Sequence, residues 1–314
     1  MINKNINWLK TLFYMSGLLI ILIMIQISLG AAVRLTGSGL SCPDWPLCYG
    51  LWFPVKSKLL IIDNVDFEYY QIMLEWLHRL NAAVLISPIT LIVSYITVVL
   101  IKIKKIKYIA YLVLLALFVQ GLIGGFTVID KNSPWSVALH LGFALILLFF
   151  VLRLFLNSII DKASTNLNIN RKKVIFYFIT LMCIFLTMLI GAIVSKTGSS
   201  LACDLWPLCS NDNMGLLQVN KFIHLLHRFL AIIGAILVLC SFFLLKEFNK
   251  LPFIQFLRFT SLFLLVIQIF MGAVVIYLEV NIIVAMIHQI LAVLLFMMIS
   301  AILWFSLAIN FKRL

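Results

Sequence analysis

Apolar residues gather along this chain in eight long runs, at about 11–33, 72–100, 108–129, 136–157, 174–194, 222–245, 256–278 and 282–308. Each is as long as the stretch of roughly 20 residues that carries a helix across a bilayer. None shows the alternation of apolar and polar positions that a membrane strand requires. The pattern predicts an all-α integral membrane protein with eight transmembrane helices. The first run follows Lys4 and Lys10, as a secretory leader would. It is longer than a leader's apolar core and no small-x-small cleavage site closes it, so it reads as an uncleaved first helix.

The chain also repeats itself. LGAAVRLTGSGLSCPDWPLC at residues 29–48 matches IGAIVSKTGSSLACDLWPLC at residues 190–209, an offset of 161. LHR at 77–79 recurs at 226–228, an offset of 149, and Gln120, Gly124 and His140 recur as Gln268, Gly272 and His288, an offset of 148. The chain therefore divides into two four-span halves, residues 1–160 and 161–314. An even number of spans inserts both halves in the same sense, about an axis along the membrane normal. Two pseudo-twofold-related four-helix bundles, side by side, are expected.

Composition excludes the other classes. The chain is 64% apolar, 13% aromatic and only 11% charged, far from the averages of a water-soluble domain or a disordered chain. The net charge of +13 would suggest nucleic acid in a soluble protein. Its distribution says otherwise. Sixteen basic residues (Lys4, Lys10, Lys102, Lys104, Lys105, Lys107, Arg153, Lys162, Arg171, Lys172, Lys173, Lys246, Lys250, Arg258, Lys312 and Arg313) fall at the termini and alternate loops, against Asp161 and Glu247 alone. The opposite side holds 8 basic and 9 acidic residues. The excess of Lys and Arg puts both termini in the cytoplasm and gives no support to a nucleic-acid partner.

Five histidines are present, and four occupy matched places: His78 and His140 in the first half, His227 and His288 in the second. All four lie on even-numbered spans, four to seven residues past the outer end, which is roughly one to two helical turns deep. Ionisable residues within a span are costly and mark function. Two imidazoles per half, at equal depth on different helices, suit axial ligation of a haem iron. An interhelical hydrogen bond is the plainer role of any one of them. Zinc or copper would want three or four clustered nitrogen or sulfur ligands. Arg79 and Arg228 follow two of the histidines, and each suits either a haem propionate or a snorkelling contact with headgroups.

The halves differ at one telling place. Glu75 lies three residues before His78, whereas His224 holds the matching position before His227. That spacing shares a helix face. A carboxylate beside a haem can move protons or stabilise a developing cation, which points to chemistry in the first half and a fixed cofactor in the second. Otherwise Glu75 is a solvated acid at a loop end and His224 a boundary residue.

The cysteines separate into two kinds. Cys183 and Cys240 are isolated in spans, where the thiol acts as a small hydrophobe. Cys42 and Cys48, and Cys203 and Cys209, form two Cys-x5-Cys pairs in outer loops. An oxidising exterior favours a disulfide within each loop; pairing between loops stays open from spacing alone. Gly30, Gly124, Gly191 and Gly272 read as close-packing positions between helices. No phosphate loop or dinucleotide fingerprint is present, so electrons would come from a membrane or extrinsic donor.

Taken together, TGSGLSCPDWPLC, EWLHR opening the second span, the single histidines of spans four, six and eight, and the four-plus-four repeat resemble the haem A synthases over nearly the whole chain. The cysteine pairs are similar to those of the bacterial branch that carries them. The resemblance implies an oxidoreductase that converts the C8 methyl of haem O to a formyl group, giving haem A for cytochrome oxidases. The methyl would be hydroxylated twice and the diol would lose water. It implies a haem b cofactor between His227 and His288, and haem O bound near His78 and His140. Glu75 would be catalytic, stabilising a carbocation at the oxidised carbon. Cys42 and Cys48 would be redox-active or would meet the haem O synthase (protohaem farnesyltransferase) that delivers the substrate. The protein would sit in the cell membrane with its haem sites near the outer face. Two rivals stand beside this: a dihaem, quinol-oxidising electron carrier, for which Glu75 at a single site has no use, and a colourless transporter with parallel repeats.

Overall fold

The computed structural model of the chain describes residues 2–62, 65–101, 103–162, 170–203, 205–207, 209, 217–244 and 252–311. Lys102, Lys246, Glu247, Lys250, Lys312 and Arg313, which belong to the charge asymmetry, lie outside the described residues. Among the described residues, eight helices are long and apolar enough to cross a membrane: α1 (Ile2–Leu35), α2 (Tyr69–Leu100), α3 (Lys104–Ile129), α4 (Pro134–Lys162), α5 (Arg171–Lys196), α6 (Leu217–Leu244), α7 (Pro252–Tyr277) and α8 (Ile282–Phe311). No strand occurs among the described residues.

Local sequence sets several of these boundaries. After α1 and α5 the chain turns at Gly37 and Gly198, at φ +69 and +71, a left-handed conformation that glycine adopts without a Cβ penalty. Thr36 Oγ1 and Thr197 Oγ1 each return a hydrogen bond to the carbonyl four residues back, both at 2.8 Å. The start of α2 is a capping box between Glu68 and Gln71, and α5 starts on Asn170, whose side chain accepts from the Lys172 N–H. Both satisfy orphan donors of a first turn.

Each half closes on itself. In the first, α1 packs on α2, α2 on α3, α3 on α4 and α4 back on α1; in the second, α5 to α8 follow the same cycle. The halves meet through α1 and α4 on one side and α5 and α8 on the other. The expected pseudo-twofold relation is compatible with these contacts. One hydrogen-bond set crosses the seam near the C-terminal ends of α1 and α5. Arg34 of α1 donates to Ser195 Oγ of α5 at 3.1 Å and to Gln289 of α8, and Gln289 returns a bond to the Ile27 carbonyl. Arg34 and Ser195 are the same position of the two repeats.

The molecule is apolar outside as well as inside. Leu19, Leu145, Leu148, Val151 and Ile302 are buried in the seam and bundle cores, while Phe118, Leu115, Phe263 and Phe270 stand exposed on helix surfaces. Only a hydrocarbon solvent accommodates such a surface, with every backbone group bonded inside a helix. The chain is a multi-pass membrane protein.

The sequence pattern predicts a regular second span, and the structure departs from it. Two π-helical stretches, Asn81–Ile86 and Ile96–Leu100, interrupt α2, the first just beyond His78 and Arg79. Such widened turns favour functional sites because they re-aim side chains. Asn81 is buried there and donates to Gln26 Oε1 at 2.8 Å and to the Leu22 carbonyl.

Because Leu148 is fully buried and Leu115 is 58% exposed, Leu148→Ala is expected to cost about 2–5 kcal/mol and Leu115→Ala close to nothing. Thermal unfolding of the two variants in the same detergent checks this; equal losses would contradict the division into buried and lipid-facing sides.

Candidate functional site

The four paired histidines share one local construction. In each case the imidazole lies against a glycine of the preceding helix: His78 against Gly30, His140 against Gly124, His227 against Gly191 and His288 against Gly272. A Cβ added at these glycines would come within 3.1, 3.0, 3.0 and 3.1 Å of the ring Cε1, closer than a side chain tolerates without displacing its neighbour. Helices α1/α2, α3/α4, α5/α6 and α7/α8 thus each present one histidine on a glycine shelf. The close-packing reading of these glycines gains a specific object.

Four residues before three of the glycines stands a glutamine. Its Nε2 lies 3.2 Å from His78 Nε2 for Gln26, 3.5 Å from His140 Nε2 for Gln120, and 3.3 Å from His288 Nε2 for Gln268. Gln26 also donates to the His78 carbonyl at 3.0 Å. The fourth position is Thr187, whose side chain is too short to reach and bonds back to the Cys183 carbonyl instead. There the backbone carbonyl of Thr187 lies 3.0 Å from His227 Nδ1. A carbonyl only accepts, so Nδ1 carries the proton and Nε2 keeps its lone pair, the tautomer of a metal-ligating histidine. The glutamines were legible in the sequence as a Gln-x3-Gly spacing on odd spans, and only the packing shows what they hold.

The structure brings His78 and His140 together, with ring centroids 6.2 Å apart and planes 67° apart. Two metal–nitrogen bonds of about 2 Å and two half-rings of about 1 Å span about 6 Å, so the spacing fits an iron held between them. His78, His140 and His288 each have a buried Nδ1 with no protein partner among the described residues, which costs about 1–3 kcal/mol per group unless a ligand or water satisfies it. In the first half, glycine shelves, orphaned ring nitrogens and paired rings together fit a haem; the second half repeats the shelves under His227 and His288.

Glu75 is 4% exposed, so it is a buried carboxylate and not a solvated acid at a loop end. Oε1 pairs with Arg79 at 2.6 Å. Oε2 accepts from the Cys42 N–H at 3.0 Å and from Ser41 Oγ at 3.1 Å. Arg79 goes on to donate to the carbonyls of Cys42, Asp44 and Leu47. Carboxylate and guanidinium thereby fasten the loop between α1 and α2 to the start of α2, within one turn of His78. Tyr49 of the same loop has its phenol pushed up by burial, then by the nearby carboxylates of Asp66, Glu75 and Asp44, so it stays neutral.

The second half repeats the fastening without the carboxylate. Arg228 donates to the carbonyls of Cys203, Leu205 and Pro207, and its Nε–H donates to His224 Nε2 at 3.2 Å. His224 is buried, 4% exposed, in the place of Glu75. The arginines expected at propionates or headgroups thus direct several of their donors to the cysteine loops. Cys42 bonds to Cys48 and Cys203 to Cys209, each pair with Cα atoms 4.6 Å apart. In both loops a cis Trp–Pro bond lies between the cysteines.

The comparisons with known proteins agree with this geometry. The chain is 29% identical over 293 residues to a haem A synthase of Staphylococcus carnosus, covering 92% of this chain and 89% of the relative. It is 30% identical over 308 residues to one of Staphylococcus saprophyticus (95% and 94%), and 27% identical over 283 residues to one of Geobacillus thermodenitrificans (88% and 86%). The COX15-CtaA family, described as cytochrome oxidase assembly protein, matches residues 13–300. With two histidine pairs on glycine shelves and a match over nearly its whole length, the chain belongs to the COX15-CtaA family of cytochrome oxidase assembly proteins.

Proposed function

We propose that this chain is a haem A synthase, an oxidoreductase that converts the C8 methyl of haem O to the formyl group of haem A. The observation that carries the reading is the inequality of two otherwise matched sites: four shelved histidines in two halves, and a buried carboxylate beside only one of them. His78 and His140, in residues 1–160, would hold the iron of the substrate haem O. His227 and His288, in residues 161–314, would hold a resident haem b, with the His227 tautomer already set by the Thr187 carbonyl. When bound, haem b would supply a redox centre for passing electrons from a membrane or extrinsic donor; the methyl-to-formyl change is itself a four-electron oxidation, so an external oxidant such as dioxygen takes part and supplies the formyl oxygen. A pure dihaem carrier has no need of the difference between Glu75 and His224.

Glu75 is the residue assigned to the chemistry. Oxidation of a methyl carbon builds positive charge there, and a fixed carboxylate in a dry site stabilises that charge far better than water does. It is also able to take up a released proton. Arg79 and the Cys42 N–H hold the carboxylate oxygens, so the side chain does not have to reorganise as charge develops. The distribution of basic residues supports a cell-membrane protein with cytoplasmic termini and outward-lying sites. Delivery of haem O by the haem O synthase fits the exposed first loop, where Trp45 and Trp52 face outward.

Co-expression with a haem O synthase is expected to produce extractable haem A; haem B and haem O alone would favour the carrier. Glu75→Ala is expected to retain haem b and lose formyl production by at least about a hundredfold, whereas His227→Ala loses haem b. Haem A at the parental yield from Glu75→Ala would remove that residue from the mechanism. Gly272→Val, which touches no ligand, is expected to displace the His288 ring and lower haem b occupancy. Pyridine haemochrome analysis of the purified variant checks it, and full occupancy would contradict the shelf.

A further inference from the structure

Ser41 has no role in the account so far, yet it is completely buried and touches the reactive carboxylate. Its Oγ lies 3.1 Å from Glu75 Oε2 and 3.0 Å from the Gln71 carbonyl, one turn earlier on the same helix. A hydroxyl has a single proton to donate. The two acceptors lie within 0.1 Å of each other in distance; an acceptor in an ion pair binds a hydroxyl more strongly than a neutral carbonyl, and Glu75 is the one in a salt bridge, with Arg79 at 2.6 Å. The Cys42 N–H, from the next residue of the chain, donates to the same oxygen.

We propose that Ser41 is a positioning residue for Glu75: its hydroxyl and the adjacent Cys42 N–H form a two-donor seat that fixes the direction of Oε2. The proposal rests on the reading of Glu75 as the carboxylate that acts on substrate. Without the hydroxyl, Oε2 keeps one donor in a buried site while Oε1 keeps Arg79. The carboxylate then turns toward the guanidinium and away from the direction set by the seat.

The repeat separates this role from a structural one. The second-half equivalent of Ser41 is Ala202, and the equivalent of Glu75 is His224. Around them several contacts recur, although Gly39, Pro43 and Asp44 also change, to Ser200, Asp204 and Leu205. Thr36 and Ser38 bond to each other at 2.5 Å and Thr197 and Ser199 at 2.6 Å. Each loop closes a disulfide, and Arg79 and Arg228 reach the carbonyls of Cys42 and Cys203. A loop of this shape therefore forms with alanine in the serine position. The hydroxyl occurs where the carboxylate occurs and is missing where the carboxylate is missing. The charged and titratable groups facing the seat are Arg79 on α2 and Tyr49, Asp44 and Asp66 from the loop, and none of them takes the place of the serine on Oε2.

The test uses full-length Ser41→Ala, Ser41→Thr and Glu75→Gln, co-expressed with a haem O synthase in respiring cells to read conversion and purified with haem O bound to read the spectra. Ser41→Ala is expected to keep the haem b Soret band and to bind haem O within about twofold of the parent. Conversion of the bound substrate falls about tenfold. The infrared carboxylate band of Glu75, identified by its loss in Glu75→Gln, shifts in Ser41→Ala and returns in Ser41→Thr, which keeps a hydroxyl. Parental conversion of bound haem O with an unmoved band would overturn the proposal. Should Ser41→Ala not accumulate, Ser41→Gly removes the same hydroxyl and is read by the same two signals. Full formyl production by Glu75→Gln would sink the role of Glu75 itself while leaving the band shift intact, so the two failures are distinguishable.

Discussion

The contact on which this structure depends is the one between a glycine of each odd-numbered helix and an imidazole of the next. It occurs four times, with the missing Cβ leaving room for the ring. Lipid tails give helices no hydrophobic reason to associate, so close backbone approach and interhelical polar contacts do that work. Here the same contact brings two helices together and fixes the place of an ionisable side chain that is costly to bury. Fold and site are therefore set by one interaction. The bundle closes around α1–α4 and α5–α8 because each hairpin carries its own shelf and its own histidine.

Upon this shared frame the halves have become chemically unequal, and the differences gather in one place. Gln26 bonds to His78 and to Asn81, and Ser41 to Glu75; the corresponding positions of the second half are Thr187, Leu230, Ala202 and His224. Four polar side chains able to donate or accept in a network become one hydroxyl bonded to its own helix, one methyl, one imidazole and one isobutyl group. The π-helical turn beyond His78 belongs to this difference, since Asn81 sits at its start and donates to Gln26. The second site is simpler. The Thr187 carbonyl fixes the proton of His227 Nδ1 without a side chain, which suits a ligand that stays in place. The first site is hydrogen-bonded in several directions, which suits a place where charge has to be managed.

Much of this was readable before any coordinates. Long uncharged runs fix span number, because no other structure hides so many backbone groups in hydrocarbon. Repeat offsets fix which histidines correspond, and Glu75 against His224 identifies the unequal half. Other features escaped for physical reasons. The burial of Glu75 depends on Ser41 and Cys42 folding back over α2, a contact between residues more than thirty positions apart. Arg79 and Arg228 looked available for propionates because sequence does not reveal that loop carbonyls lie within their reach. The glutamines were visible as a spacing, but their partner was not, because a polar residue in a span is as readily a helix-to-helix bond as a histidine's partner. The second π turn, ITVVL, carries no glycine or proline to mark it, whereas the first had a signal in Pro88, which cannot bond the Val84 carbonyl four residues back.

The central claim is that each half holds a haem between its own pair of histidines, with the second haem resident and the first exchanged. The most direct measurement is the haem content of the purified protein, taken from its Soret band and pyridine haemochrome after expression with a haem O synthase. The account predicts haem b together with a second haem, of type O or A, and loss of only the second in His78→Ala. A colourless protein, or loss of haem b from His78→Ala with its retention in His227→Ala, would contradict it.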